Sequence, residues 1–280
     1  DLYWNLAVPS STYSSWALDT KSALTRVEFD NSQGVEQTAD TNTRTANSTI
    51  VYKAIPLLTQ TDLNNSAYMS NGGEQELYKF TVAAPAQGSV NVKQFKLAVT
   101  WSDGGTDATL TLHTLKLLKD GVDVTAAVTI ASEEDQTAET TVGVTESDDT
   151  IVVTWDGSTE DTVSAGTSTT YSLRGTPTGF RTGVGANDVA GVDTVALVLT
   201  RDASAPASGA NFLNAGDNIT GVVKLHTSAA AGASAATNHN MIWSDEAAVA
   251  HTAAVGTSST KDWTNSNLVQ NVMTSETWSR

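Results

Sequence analysis

Apolar and polar residues alternate with period two over several stretches of the chain. Tyr78, Phe80 and Val82 alternate with Lys79 and Thr81, and Phe95, Leu97, Val99 and Trp101 alternate with Lys96, Ala98 and Thr100. Ile151, Val153 and Trp155 form a third set, Tyr171 and Leu173 a fourth, and Val195, Leu197 and Leu199 a fifth. Successive side chains of an extended strand point to opposite faces. Each set therefore predicts a strand with one face on a core and one toward water. One stretch changes parity: Leu110 and Leu112 are followed by Leu115 and Leu117. A β-bulge near His113–Thr114 would keep all four side chains pointing inward.

Residues that tolerate positive φ separate these runs. They are Asn71-Gly72-Gly73, Asp103-Gly104-Gly105, Asp120-Gly121 and Asp156-Gly157. Leu117 to Val124 reads as a hairpin with Asp120-Gly121 near its tip. No stretch carries a sustained 3.6-residue apolar stripe with caps. The nearest, Asp245 to Val255, is Ala-rich and short, and fits one or two helical turns or a loop. The pattern predicts an all-β fold. It is an antiparallel β-sandwich of jelly-roll or immunoglobulin-like character, with Phe80, Leu97, Leu112, Val153, Leu173 and Leu197 in its core. Residues 1–60 read as an extended N-terminal assembly segment with the first strands, and residues 61–280 as the sandwich, with 176–200 the place for any subdivision. Val222 to Leu225 is the one strand expected between 201 and 240. No fixed-period repeat supports a solenoid or propeller.

Composition narrows the function classes. Thr and Ser together fill 70 of 280 positions, and the charged fraction is only 16%. The net charge of -16 argues against nucleic acid and anionic membrane surfaces as partners. No apolar run approaches the ~18 residues of a membrane-spanning helix. The absence of Cys removes disulfides, thiolate metal sites and Cys nucleophiles. Asp1 stands where a Met is absent, and with the Thr/Ser-rich, Lys-poor composition this leads to the expectation of a mature secreted protein. Acidic charge concentrates between Ser102 and Asp161, where 14 Asp/Glu face only Lys116 and Lys119. Solvated loops and hairpin tips account for such a segment, and divalent-cation binding is the functional alternative.

Motifs for chemistry are sparse. There is no G-x-S-x-G elbow, no H-E-x-x-H and no phosphate-cradling loop. His113, His226, His239 and His251 read as hydrogen-bonded structural residues, with His239 and His251 flanking Trp243. A carboxylate pair for glycoside hydrolysis needs a burying cleft, whereas these acids sit in Gly/Ser/Thr-rich turns. The expectation is that the chain is not an enzyme and needs no cofactor. Calcium is the one metal worth considering, with Asp103 and Asp107 as candidate ligands and Glu133, Glu134, Asp135, Asp148 and Asp149 on nearby loops. Seven Trp residues leave glycan stacking open.

Three stretches together carry a family resemblance: Leu77 to Val82 followed by Phe95 to Val99; Val163 to Arg174; and Ile242-Trp243-Ser244-Asp245, His251 and Asp262-Trp263-Thr264-Asn265. Over residues 75–280 the chain resembles the secreted, Thr/Ser-rich β-sandwich surface proteins of candidate-phyla (Patescibacteria-type) bacteria. Ser266 stands where the family's Trp-Thr-Asn motif is usually followed by Gly. The resemblance implies an extracellular or cell-surface location and a structural role, and brings no catalytic residues. By analogy with donor-strand fibre subunits, Leu2, Trp4, Leu6 and Val8 alternate as a strand that a neighbouring copy could accept, with Tyr13 and Trp16 adding to the apolar load. The expected function is a self-associating subunit of an extracellular filament or surface layer. A glycan- or host-surface-binding module and a jelly-roll viral capsid or tail subunit are the alternatives. Pairing of the segment within its own subunit is the other possibility for residues 1–18.

Overall fold

The computed structural model describes residues 52–63, 69–104, 109–132, 143–181, 192–203, 213, 240–248, 250–254, 260, 262–270 and 273–280, with the backbone of 28–30, 36–38 and 271–272. Among these residues the regular structure is β, apart from two single 3-10 turns at Thr125–Ala127 and Ser266–Leu268. Two strands, β1 (Glu28–Asp30) and β2 (Glu36–Thr38), pair with each other. The remaining strands build two sheets that face each other across one core, as the alternation predicts.

The first sheet runs β16 (Gln270–Val272), β3 (Leu57–Gln60), β4 (Gln75–Ala83), β12 (Ser168–Thr178), β6 (Thr111–Lys119) and β7 (Val122–Asp123), and β9 (Val144–Thr145) also pairs with β6. Its pairings are antiparallel except β16 on β3, which is parallel. A parallel pair cannot be closed by a hairpin. Here its partners are more than 200 positions apart in sequence, Leu57 opposite Gln270.

The second sheet is organised on β5 (Val90–Ser102). One edge of β5 pairs first with β14 (Met241–Ser244) and then with β13 (Thr194–Val198); the other pairs with β11 (Asp161–Val163) and then β10 (Thr150–Trp155). Beyond these lie β15 (Trp263–Asn265) on β14, β17 (Glu276–Ser279) on β13, and β8 (Val128–Ala131) on β10.

All six expected core residues are buried. An aromatic cluster joins the sheets: Phe80 on β4 meets Phe95 on β5 edge-on at 5.0 Å, and Tyr171 on β12 lies 5.7 Å from Phe95 and 5.6 Å from Trp155. Burying each large apolar side chain contributes about 1.5–3 kcal/mol. Leu110, Leu112, Leu115 and Leu117 all point inward, because Thr114 takes a positive φ of 54° and the β6–β12 register slips there. The hairpin turns on Asp120 (φ 49°) and Gly121 (φ 83°), with Lys119 opposite Val122.

Two sequence expectations need correction. The strands of the second sheet are not uniformly half-exposed: all six residues of β10 and the first six of β5 are buried. Val152, Ala131 and Ile242, which lie outside the inter-sheet core cluster, are buried as well, so the outer face is also covered there. β5 also carries a bulge absent from the sequence reading. Trp243 pairs with Val92 and Ile242 with Gln94, so Lys93 is left over. This lets Val90, Val92, Phe95, Leu97 and Val99 share one face despite their change of parity. The described part of 245–255 is irregular chain with isolated bends and a turn and contains no helix. Val222 to Leu225 lie outside the described residues.

Candidate functional site

The densest group of titratable side chains lies on the outer face of the second sheet. Strand register aligns Trp263 (β15), Ser244 (β14), Asn91 (β5) and Thr162 (β11) in one row across the sheet. Ser244 and Asn91 are fully buried and Trp263 nearly so, and His251 lies beside the row. The His251 ring lies 5.1 Å from the Trp263 ring at a 37° tilt.

Asp262, immediately before β15, organises this segment. Its Oδ2 accepts from the Ser244 hydroxyl (3.0 Å), the Ala247 and Ala248 amides (3.1 Å each) and His251 Nδ1 (2.7 Å). The other imidazole nitrogen, Nε2, lies 3.0 Å from Glu160 Oε2 and 3.1 Å from Asn91 Nδ2. Asn91 Nδ2 also donates to Glu246 Oε1 at 3.1 Å. Glu246 has a φ of 53°, which turns the chain back over the sheet.

The electrostatics follow from these contacts. Burial disfavours the imidazolium, but the hydrogen bonds and negative charges of Asp262 and Glu160 outweigh it and push His251 up to about 10. Burial likewise opposes the Asp262 anion, and the His251, Thr260 and Ala248 hydrogen bonds overcome it, holding Asp262 well below the usual carboxylate range. At neutral pH the group is an imidazolium between two carboxylates, with both ring nitrogens engaged. Through these contacts the segment from Ser244 to Asp262 is fastened to Asn91 on β5 and to Glu160 beside β11.

Other buried polar groups serve the same end. Asp202 Oδ2 accepts from the Ser266 amide and hydroxyl, while its Oδ1 accepts from the Asn240 amide. Asp193 receives the Gly104 and Arg181 amides. At the Lys93 bulge, the buried Nζ donates to the Gly157 and Thr159 carbonyls at 2.8 and 2.7 Å, and burial pulls it down to about 8. Tyr171 and Lys119 both donate to Asp161, tying the core to the β11 edge.

The sequence candidates fall differently. Leu2, Trp4, Leu6, Val8, Tyr13 and Trp16 lie outside the described residues, as do Asp107 and Glu133 to Asp135. Asp103 is described, and the amide of the next residue, Gly104, donates to Asp193 Oδ1. The Asp148 carboxylate accepts from Ser132 and from the Thr145 amide and hydroxyl. Among the described residues no group of three or more His, Asp or Glu side chains is arranged to hold a metal ion. The Trp faces considered for glycan stacking are largely covered: Trp155, Trp243, Trp263 and Trp278 are buried, and half-buried Trp101 stacks on Phe180 at 6.2 Å. Trp4 and Trp16 lie outside the described residues.

Ser244, His251, Asp262 and Trp263 share one sequence motif, but the clasp that His251 forms with Glu160 and Asn91 is not legible in it. Glu160 and Asn91 are 91 and 160 positions from His251, so nothing local announces them. The Lys93 bulge did leave a signal, the parity switch from Val90 and Val92 to Phe95 and Leu97.

No protein-family model and no curated protein matches the chain. Among solved structures it is similar to the full-length RrgB pilus protein from Streptococcus pneumoniae, at 9% identity and a TM-score of 0.23 over 61% of this chain and 27% of that one. A second structure of the full-length major pilin RrgB gives 8% identity and 0.24 over 62% and 30%. The chain therefore matches less than a third of the length of either pilin.

Proposed function

We propose that this chain is a structural subunit of an extracellular filament or surface layer, self-associating through residues 1–18 and performing no enzymatic chemistry. The observation that carries this reading is the His251 cluster, in which both imidazole nitrogens and Asp262 Oδ2 are engaged. The side chains best suited to acid–base work are bonded to one another and to backbone amides, and they hold loops onto a sheet. Asp202, Asp193, Asp161 and Lys93 act in the same way. Such bonding suits a module whose task is to keep its shape.

The self-association rests on sequence. Leu2, Tyr3, Trp4, Leu6, Val8, Tyr13, Trp16 and Leu18 form an apolar load that needs a covering surface. A head-to-tail contact through an extended segment does not close, so it propagates into a polymer. Electron microscopy of the purified chain tests the reading. Filaments or sheets that disappear on deletion of residues 1–18, leaving a folded monomer, are the expected result. A chain that stays monomeric at high concentration, or a deletion variant that assembles normally, overturns it.

A further inference from the structure

The described residues leave one sheet edge suited to accept that segment. Strand β16 is paired on one side with β3, and no other described strand pairs with it. Three apolar side chains are exposed at the starts of these two paired strands: Ile55 and Leu57, 40% and 41% exposed, at the start of β3, and Leu268, 51% exposed, just before β16. Leu57 and its ladder partner Gln270 both face outward, while Leu58 and Val269 fill the core side. Most large apolar side chains among the described residues are buried, so three in one corner mark a surface with something to cover.

Charge selects the occupant. Two copies of a chain with net charge -16 repel wherever carboxylates meet. Residues 263–275, which hold β16 and Leu268, contain no charged side chain, and neither do residues 54–61, which hold Ile55 and Leu57. Residues 2–18 are also free of charge. Joining these stretches strands no charge and brings no like charges together. The period also fits: Leu2, Trp4, Leu6 and Val8 share one face of an extended strand, and laid along β16 that face lies beside Gln270 and Leu268, with Leu57 one strand further in.

We propose that the β16 edge of one subunit accepts residues Leu2–Val8 of a second copy as an added strand, seated against Leu268 with its large side chains reaching across Gln270 toward Leu57. The inference rests on the self-association reading and names its acceptor. Backbone hydrogen bonds to β16 hold the added strand, and the alternate apolar side chains set its register.

The test uses the full chain and two variants, one lacking residues 2–18 and one carrying Leu57→Glu with Leu268→Glu. Both substituted residues are exposed, so the double variant keeps its melting temperature; Leu57→Thr with Leu268→Thr is the milder control. The expected result is at least a tenfold slower assembly for the glutamate variant, with an intermediate rate for the threonine one. Mixing the deletion variant, which retains the edge, with the glutamate variant, which retains the segment, yields a 1:1 dimer that grows no further. Because the chain has no Cys, Gln270→Cys combined in turn with a Cys at each of positions 2–8 gives an unambiguous disulfide readout. Disulfides between copies are expected. Normal assembly of the glutamate variant overturns the acceptor assignment while leaving self-association standing. A disulfide within one chain, or none at any position, overturns it too. A wild-type chain that never assembles removes the functional reading and this inference together.

Discussion

Thr114 lies at a φ of 54° across the ladder from Gly175, where β12 slips register against β6: Arg174 faces Lys116, whereas Thr176 faces His113. A β-branched residue in the left-handed region is strained by about 1–2 kcal/mol. Leu112 and Leu115 reach the same core only because that strain is accepted. Thr114→Gly is expected to stabilise the fold by about 1 kcal/mol, read as a higher denaturant midpoint at unchanged slope. Gly179 is the opposite case. Its φ is 87°, and a Cβ there would stand 2.2 Å from the Thr109 carbonyl oxygen. Gly179→Ala should lower stability by about 2 kcal/mol or more. Equal midpoints for both variants would show that the bulge and this turn are relaxed.

The His251 clasp predicts a pH profile. Its folded-state value of about 10 lies above the ordinary 6.5, so its contribution is complete below pH 6.5 and is lost as pH rises through about 10. Asp262 shifts downward, so its contribution is present above the ordinary 3.8 and fades as pH falls below it. The clasp is therefore fully formed between these ordinary values. His251→Gln leaves Asp262 and Glu160 without their cation and should cost about 2–3 kcal/mol at pH 6, less than a fully buried pair because the cluster is partly wet. Near pH 10.5 the variant and parent should converge. A constant difference across that range in urea titrations would mean that the imidazolium is not what Asp262 and Glu160 hold.

Lys93 acts with the opposite sign over part of the same range. Burial pulls its amine from 10.5 down to about 8, so between these values the unfolded chain binds the extra proton. Stability from this site rises with pH there. The decline from His251 masks the rise, so it should emerge in the His251→Gln background. Adding Lys93→Met should abolish it and cost about 1–3 kcal/mol at pH 10.5, because the Gly157 and Thr159 carbonyls lose their donor. If the slope persists in the double variant, the titrating group is another residue.

What the sequence makes legible follows from the range of each interaction. Phe80, Leu97 and Leu173 declare their strands because a strand's own alternation is local. The Asp120-Gly121 turn is legible because it needs two adjacent residues with positive φ. The outer-face burial of Val152 and Thr154 is not, because it depends on distant chain packed over the sheet, and Thr residues at alternate positions read as solvent-facing. Strands β15 and β16 are three residues each and are held by partners elsewhere in the sequence, so they leave no period to detect. The clasp was half visible. Asp262 and His251 are close in sequence, but Glu160 arrives with β11 and Asn91 with β5. Lys93 hides its own bulge, because a lysine between Val92 and Gln94 looks like an ordinary outward residue until its neighbours' parity is compared.

The charge distribution yields the last prediction. Two copies of a chain of net charge -16 approach against mutual repulsion, and the proposed contact contains no charge of either sign. Salt therefore has repulsion to screen and no attraction to weaken. The screening length falls from about 30 Å at 0.01 M to about 8 Å at 0.15 M. Assembly followed by light scattering should speed up on the order of tenfold across that interval, and apolar contacts should keep it from reversing at 1 M. Lowering the pH toward the pI of about 4.4 at fixed salt should act in the same direction by removing carboxylate charge. Salt leaves the backbone pairing intact, so the deletion lacking residues 2–18 should stay monomeric throughout the series. Assembly that slows with added salt would mean that opposite charges make the contact. The acceptor would then have to be sought on a charged face, such as the one where Lys116 and Arg174 meet Glu74.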